Sequence, residues 1–137
     1  MAAAHLAVLY VAFALLKHVL PLPTLVRLAC ASKAPRPGAN AESRAVALVA
    51  RIRRSLGGGQ DCLHGSLILY RQLLRAGASP RLCIGVRKNG ARLEGHSWVE
   101  VRGEVVGEHP ANGLPWSIVA AYGPDGRREI NAEVSPR

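Results

Sequence analysis

Aromatic side chains are scarce in this chain: one Phe, two Trp and three Tyr among 137 residues. Single-stranded nucleic acid is held on aromatic platforms set among basic residues, and no segment here interleaves the two, so nucleic acid is the weaker reading of the chain's basic charge and is not the expected partner. Cysteine is scarce as well. Cys30, Cys62 and Cys83 are odd in number and none stands in C-x-x-C spacing, which argues against a disulfide framework and implies a reducing, cytoplasmic setting. Cys83, in the apolar run Leu82 to Val86, reads as a small core residue. Acidic residues number nine against eighteen basic ones, a net charge of +9 that suits an acidic peptide or anionic lipid surface. An uninterrupted apolar run of the roughly 20 residues that span a bilayer is also missing, because Lys17 and His18 break the stretch that begins at Ala2. Nor does positive charge precede that stretch as an export signal requires; Lys17, Arg27, Lys33 and Arg36 all follow it. A helix packed on the domain or on a partner is expected there, with peripheral membrane contact by an interfacial helix as the alternative.

What is present divides at a linker. Pro21 and Pro23 end the first helix, and Thr24 to Ala31 reads as a short second helix capped by Thr24. Ser32 to Asn40, rich in Pro, Gly and basic residues, links this segment (residues 1–38) to a domain over residues 39–137. That length fits one small catalytic domain without a separate recognition domain, so a second protein is expected to present any large substrate. From Ala41 to Leu56, Ala45, Leu48, Val49, Ile52 and Leu56 recur at helical spacing behind an Asn40 cap. Gly57-Gly58-Gly59 then forms a turn, and no Lys-Ser or Lys-Thr follows to make it a phosphate cradle. A further helix runs from Cys62 to Ala76 with Leu63, Leu67, Tyr70, Leu73 and Leu74 as its buried stripe, and stops at Gly77. Beyond Pro80 the period changes to strands: Arg81 to Arg87, an Asn89-Gly90 turn, Ala91 to Glu94, His96 to Arg102, a turn at Arg102-Gly103, Val105 to Glu108, and Ala120 to Tyr122. The pattern predicts an α+β fold, with a central helix packed on an antiparallel sheet and N-terminal helices ahead of it.

Cys62 stands where a helix begins and His96 where a strand begins. A thiol at a helix N-terminus meets the positive end of the dipole, which favours the thiolate, and an imidazole beside it completes the activation. This is the layout of a papain-like or transglutaminase-like cysteine enzyme. Cysteine peptidases also need a polar residue to orient the imidazole. Glu108, on the strand returning after the Arg102-Gly103 turn, is the natural choice; Glu100 competes but lies roughly 13 Å along the strand from His96. The backbone N–H of Cys62 is a donor for the oxyanion, with Gln60 or a glycine-loop amide as the second. Trp98 is expected to wall the substrate site beside His96 or to fill the core. His64 points away from Cys62 on its helix. The spacing of Cys62, His64, His96 and His109 matches no common zinc pattern, so neither metal nor cofactor is expected.

Three blocks add a resemblance. Cys62-Leu63-His64-Gly65-Ser66-Leu67-Ile68-Leu69-Tyr70, Leu82-Cys83-Ile84-Gly85-Val86-Arg87 and Gly95-His96-Ser97-Trp98-Val99-Glu100-Val101, in this order, resemble the leader peptidases of lasso-peptide biosynthesis, whose domain is transglutaminase-like and papain-type. Gly65 stands where that family carries arginine. The resemblance implies a cysteine protease that removes the leader from a ribosomally made precursor, with Cys62 as nucleophile and His96 as acid and base. It places the third residue, an aspartate in the family, at Glu108. It also implies a separate leader-recognition protein and a downstream ATP-dependent macrolactam cyclase as partners. A transglutaminase-like acyl transferase, or a non-catalytic adaptor docking peptide and cyclase, are the alternatives.

Overall fold

The computed structural model of the chain describes residues 2–16, 18–30, 38–55, 62–107 and 115–129. Among them, helices α1 (Ala2–Leu16), α2 (Leu22–Cys30), α3 (Ala41–Ser55) and α4 (Cys62–Arg75) precede strands β1 (Pro80–Asn89), β2 (Arg92–Val101), β3 (Glu104–Val106) and β4 (Ser117–Tyr122). The strands form one antiparallel sheet in the order β3-β2-β1-β4. The architecture is therefore α+β, with the helices on one face of the sheet.

Helix α2 begins earlier than its sequence suggests. Thr24 is not its cap: the helix starts at Leu22 and Thr24 N–H already bonds Pro21 O at 3.0 Å. Pro23 falls in the first turn, where no intrahelical bond calls for the N–H it lacks. The apolar side of α2 buries Leu25, Val26 and Ala29. Arg71 of α4 donates to the carbonyls of Leu28 and Ala29 at 3.2 and 3.3 Å, placing a cation on the negative end of α2. In α3 the residues turned inward are Ala45, Val49 and Ile52, as their spacing predicts. Leu48 is half-buried, and Leu56 lies outside the described residues.

Helix α4 is the centre of the packing. It buries His64, Gly65, Ser66, Leu67, Ile68, Leu69, Tyr70 and Leu73, far more than a single stripe, because the sheet covers one side and α1, α2 and α3 cover the other. Covered on two sides, the helix buries the polar His64 and Ser66 together with its apolar residues, while Arg71, Gln72 and Arg75 lie toward its C-terminal end. It ends in a Schellman motif: Gly77, at φ 79°, donates to Leu74 O at 3.1 Å while Ala78 donates to Leu73 O at 3.0 Å. Tyr70, fully buried, donates from its hydroxyl to Gly123 O and meets Cys30 Sγ at 3.1 Å, tying α4 to both α2 and the chain after β4.

Both hairpin turns are two residues long. In the first, Asn89 pairs with Arg92, so the centre is Gly90-Ala91 rather than Asn89-Gly90. Gly90 has φ 60°, and the Asn89 amide instead donates to Glu94 at 3.1 Å. In the second, Arg102 (φ 53°) and Gly103 (φ 81°) take the left-handed pair that suits the strand twist. The cost at Arg102 is offset by a bidentate pair with Glu42 of α3 at 2.9 and 3.3 Å.

The main core joins Leu25 and Val26 of α2, Val49 and Ile52 of α3, Leu67, Tyr70 and Leu73 of α4, and Leu82, Val99 and Val101 of the sheet. Residues 22–30 thus share one core with the sheet. Among the described residues no helix is long and apolar enough to cross a membrane. Helix α1 leaves Val8, Val11 and Leu15 exposed, and packs Leu9 and Leu16 on the core.

Candidate active site

Cys62 is the first residue of α4, and His96 lies in the half of β2 that crosses in front of it. Strand alternation puts Ser97, Val99 and Val101 on one face and His96, Trp98 and Glu100 on the other. A polar clasp fixes helix against strand. Ser66, one turn into α4, donates to Ser97 O at 3.0 Å, and Ser97 Oγ donates to Ser66 Oγ at 3.2 Å. With α4 held there, the Cys62 sulfur and His96 Nδ1 come within 3.0 Å of each other. Cys83, by contrast, is fully buried, and burial pushes its thiol up to about 12. No disulfide joins the three cysteines.

Two tryptophans flank the imidazole. Trp98 stacks on it at 6.0 Å between centroids and 17° between planes, and Trp116 lies at 5.1 Å and 32°. Gly85 makes room for the first: directly opposite His96 in the ladder, it would bring a Cβ within 2.8 Å of the Trp98 ring. Trp98 Nε1 donates to Glu100 at 2.9 Å, and Arg81 donates to the same carboxylate at 3.3 Å. Glu100, the competitor for orienting His96, is thereby committed to Trp98 and Arg81. Arg87 lies 4.3 Å over the Trp116 ring and pairs with Glu94 at 2.7 Å.

His96 Nδ1 faces the sulfur, and Nε2 is buried with no hydrogen-bond partner among the described residues. Glu108, expected to orient the ring, and Gln60, expected to serve the oxyanion, both lie outside the described residues. Gly107, the residue before Glu108, lines the same recess as Cys62 and His96. His64, on the first turn of α4, is buried. Among the described residues no three His, Cys, Asp or Glu side chains gather as metal ligands.

The Cys62–His96 couple separates two recesses. One, of about 160 Å³, lies between α3, α4 and β2 and is lined by Val49, Arg53, Leu69 and Trp98 among others. The other, about 320 Å³ and more open, is bordered by Leu22 of α2, Leu63 and Ile84. Extended substrate passing across the sulfur would therefore meet apolar walls on both sides, one of them built by α2. Sequence reasoning missed Trp116, Arg87 and Arg53. Trp116 is one of only two tryptophans, set in the short run Leu114-Pro115-Trp116-Ser117-Ile118, and that rarity is the only signal it offers.

The imidazole titrates below the ordinary histidine range, first because burial penalises its charged form and then because Arg53 and Arg87 repel it. Both effects favour the neutral ring. In a Cys62→Ala background, where the sulfur no longer couples to the ring, NMR titration should place the His96 midpoint below about 6.5. Adding Arg53→Gln should raise that midpoint toward the ordinary value. A midpoint that stays put or falls would remove Arg53 from the electrostatics of the site.

The family model described as the transglutaminase-like superfamily matches residues 7–120, from within α1 through most of β4. No curated protein and no solved structure matches the chain.

Proposed function

We propose, from the premise that this chain belongs to the transglutaminase-like superfamily, that it is a cysteine peptidase removing the leader from a ribosomally synthesised lasso-peptide precursor. The observation that carries the proposal is the 3.0 Å approach of Cys62 Sγ to His96 Nδ1. That contact is within proton-transfer reach, and a merely structural thiol does not need it. The lasso-peptide assignment is supported by the three sequence blocks around Cys62, Leu82 and His96.

Chemistry at this couple proceeds in two steps. His96 takes the Cys62 proton, the thiolate attacks the scissile carbonyl, and the C–N bond breaks as the imidazolium returns the proton to the leaving amine. A thioester remains on Cys62. Water, deprotonated by His96, then attacks that thioester and releases the acid and the thiol. The Cys62 amide at the start of α4 and Gln60 supply donors to the oxyanion. Glu108 holds His96 through Nε2, a role that suits a residue following Gly107 at the edge of the recess. A leader-recognition protein presents the precursor, and an ATP-dependent macrolactam cyclase takes the released core. A cytoplasmic setting agrees with these partners.

The test is a lasso-peptide precursor incubated with the chain and a leader-binding protein, with products followed by mass spectrometry. Cleavage at one bond between leader and core is expected. Transfer of the acyl group to an added amine in preference to water would make the chain an acyl transferase instead. Binding of precursor without any cleavage would make it an adaptor.

A further inference from the structure

We propose that the exposed edge of β2 beside His96 is a docking strand for the substrate: an extended segment of the precursor pairs with the backbone of Leu93 and Gly95, and the residue opposite Gly95 places an apolar side chain in the larger recess bordered by Leu22, Leu63 and Ile84. The proposal rests on the peptidase reading above and adds to it how the peptide is held and which side chain it must carry.

Register shows which backbone groups are open. Successive residues of a strand direct their N–H and C=O groups to opposite neighbours. Two-residue hairpins fix the parity on both sides of β2: Arg92 opposite Asn89 turns the even-numbered residues toward β1, and Val101 opposite Glu104 turns the odd-numbered ones toward β3. Strand β3 reaches only as far as Val106 opposite Val99, and Gly107 then takes φ 92°, outside the extended range. Ser97, Gly95 and Leu93 therefore continue the odd row past the end of β3. Ser97 O is taken by the Ser66 hydroxyl at 3.0 Å, whereas Gly95 and Leu93 are exposed, Leu93 at 74%. Pairing with β1 is unbroken over this stretch, so no bulge blunts the edge.

Gly95 leaves room for a second backbone. A glycine inside a strand weakens it and marks a place of close approach, yet among the described residues nothing approaches: a Cβ at residue 95 would meet no atom within 4 Å. The space lies beside His96, on the face that Gly95 shares with Ile84 and Ser97, and opens on the recess of about 320 Å³. A residue pairing with Gly95 projects its side chain from that same face. Leu22, Leu63 and Ile84 then offer it apolar walls, against which an aspartate would be desolvated. Only another backbone supplies a donor and an acceptor at the strand repeat that Leu93 and Gly95 present. Because Gly95 is one residue from the His96 that meets the Cys62 sulfur, the occupant is the peptide to be cut.

The test is amide hydrogen exchange by NMR on the Cys62→Ala chain, with and without saturating lasso-peptide precursor and leader-binding protein. Exchange at Leu93 and Gly95 should slow by about tenfold or more on binding, while Glu94 and His96, already turned to β1, should not change. Gly95→Val puts a strand-forming side chain into open space and should fold; it should raise KM for precursor cleavage about tenfold with kcat nearly unchanged. Aspartate placed in turn at precursor residues near the cut should find one position that raises KM on the unsubstituted chain and adds little on Gly95→Val. Unchanged exchange at Leu93 and Gly95, under conditions in which the unsubstituted chain cleaves the precursor, would overturn the docking strand and leave the peptidase reading standing. Slowed exchange there in a chain that cleaves nothing would sink the peptidase reading and leave the docking strand. Amides of Leu93 and Gly95 protected in the free chain, with a dimer by light scattering, would give the edge to a second copy and overturn the proposal.

Discussion

With Cys62 replaced by alanine, precursor cleavage in the presence of the leader-binding protein should fall by about 10⁴-fold or more, to the level of residual catalysis by donors and binding alone. The size of the loss follows from the site. Cys62 is the sulfur that His96 approaches at 3.0 Å, while Cys83 is fully buried with its thiol pushed up to about 12, and Cys30 is engaged with the Tyr70 hydroxyl. Neither can substitute as nucleophile. Precursor binding should survive, because the change removes one sulfur and leaves the Ser66–Ser97 clasp in place. Glu108→Gln should slow turnover by less, since an amide still accepts a hydrogen bond from the ring. Unaltered rates there would move the orienting role to another residue.

Leu25→Ala should cost about 2–5 kcal/mol in chemical denaturation, among the largest losses available to a single apolar truncation in this fold. Leu25 is 1% exposed and belongs to the same cluster as Leu67, Tyr70 and Leu82. The prediction bears on function as well as stability. If α2 were an appendage for docking a partner, its truncated leucine would cost a fraction of that and leave the sheet and α4 as stable as before. Because Arg71 also bonds the α2 carbonyls and Leu22 borders the groove beside Cys62, loosening α2 should depress turnover together with stability. A loss under about 1 kcal/mol would show that α2 is not part of the cooperative unit.

The placement of Cys62 at a helix start and His96 on the strand that meets it was legible in the sequence because helix and strand starts leave local marks. Glycines before Cys62, the leucine spacing after it, and the alternation around His96 each come from neighbours in sequence. The α3 stripe and the Arg102-Gly103 turn are local in the same way. Other features depend on contacts between distant elements and left no such trace. Nothing local states that α4 is covered on both sides, so Ile68 and Leu69 read as the outer face of a one-sided helix. The first turn centred on Gly90-Ala91 rather than Asn89-Gly90 because strand pairing extends to Asn89 and Arg92. Arg53 was not singled out by the sequence, and its place in the recess with Cys62 depends on the missing side chain at Gly65. Trp116 reaches His96 across β1, from a segment whose own pattern is weak.

The covalent species on Cys62 is the most direct measurement of all. Rapid acid quench during precursor turnover, followed by peptide mapping, should find the acyl group as a thioester on the peptide that contains Cys62. His96→Ala should leave that species unformed at neutral pH. Product appearing at full rate with no adduct on Cys62, or an adduct that forms equally well without His96, would contradict a reaction carried by this sulfur and this ring.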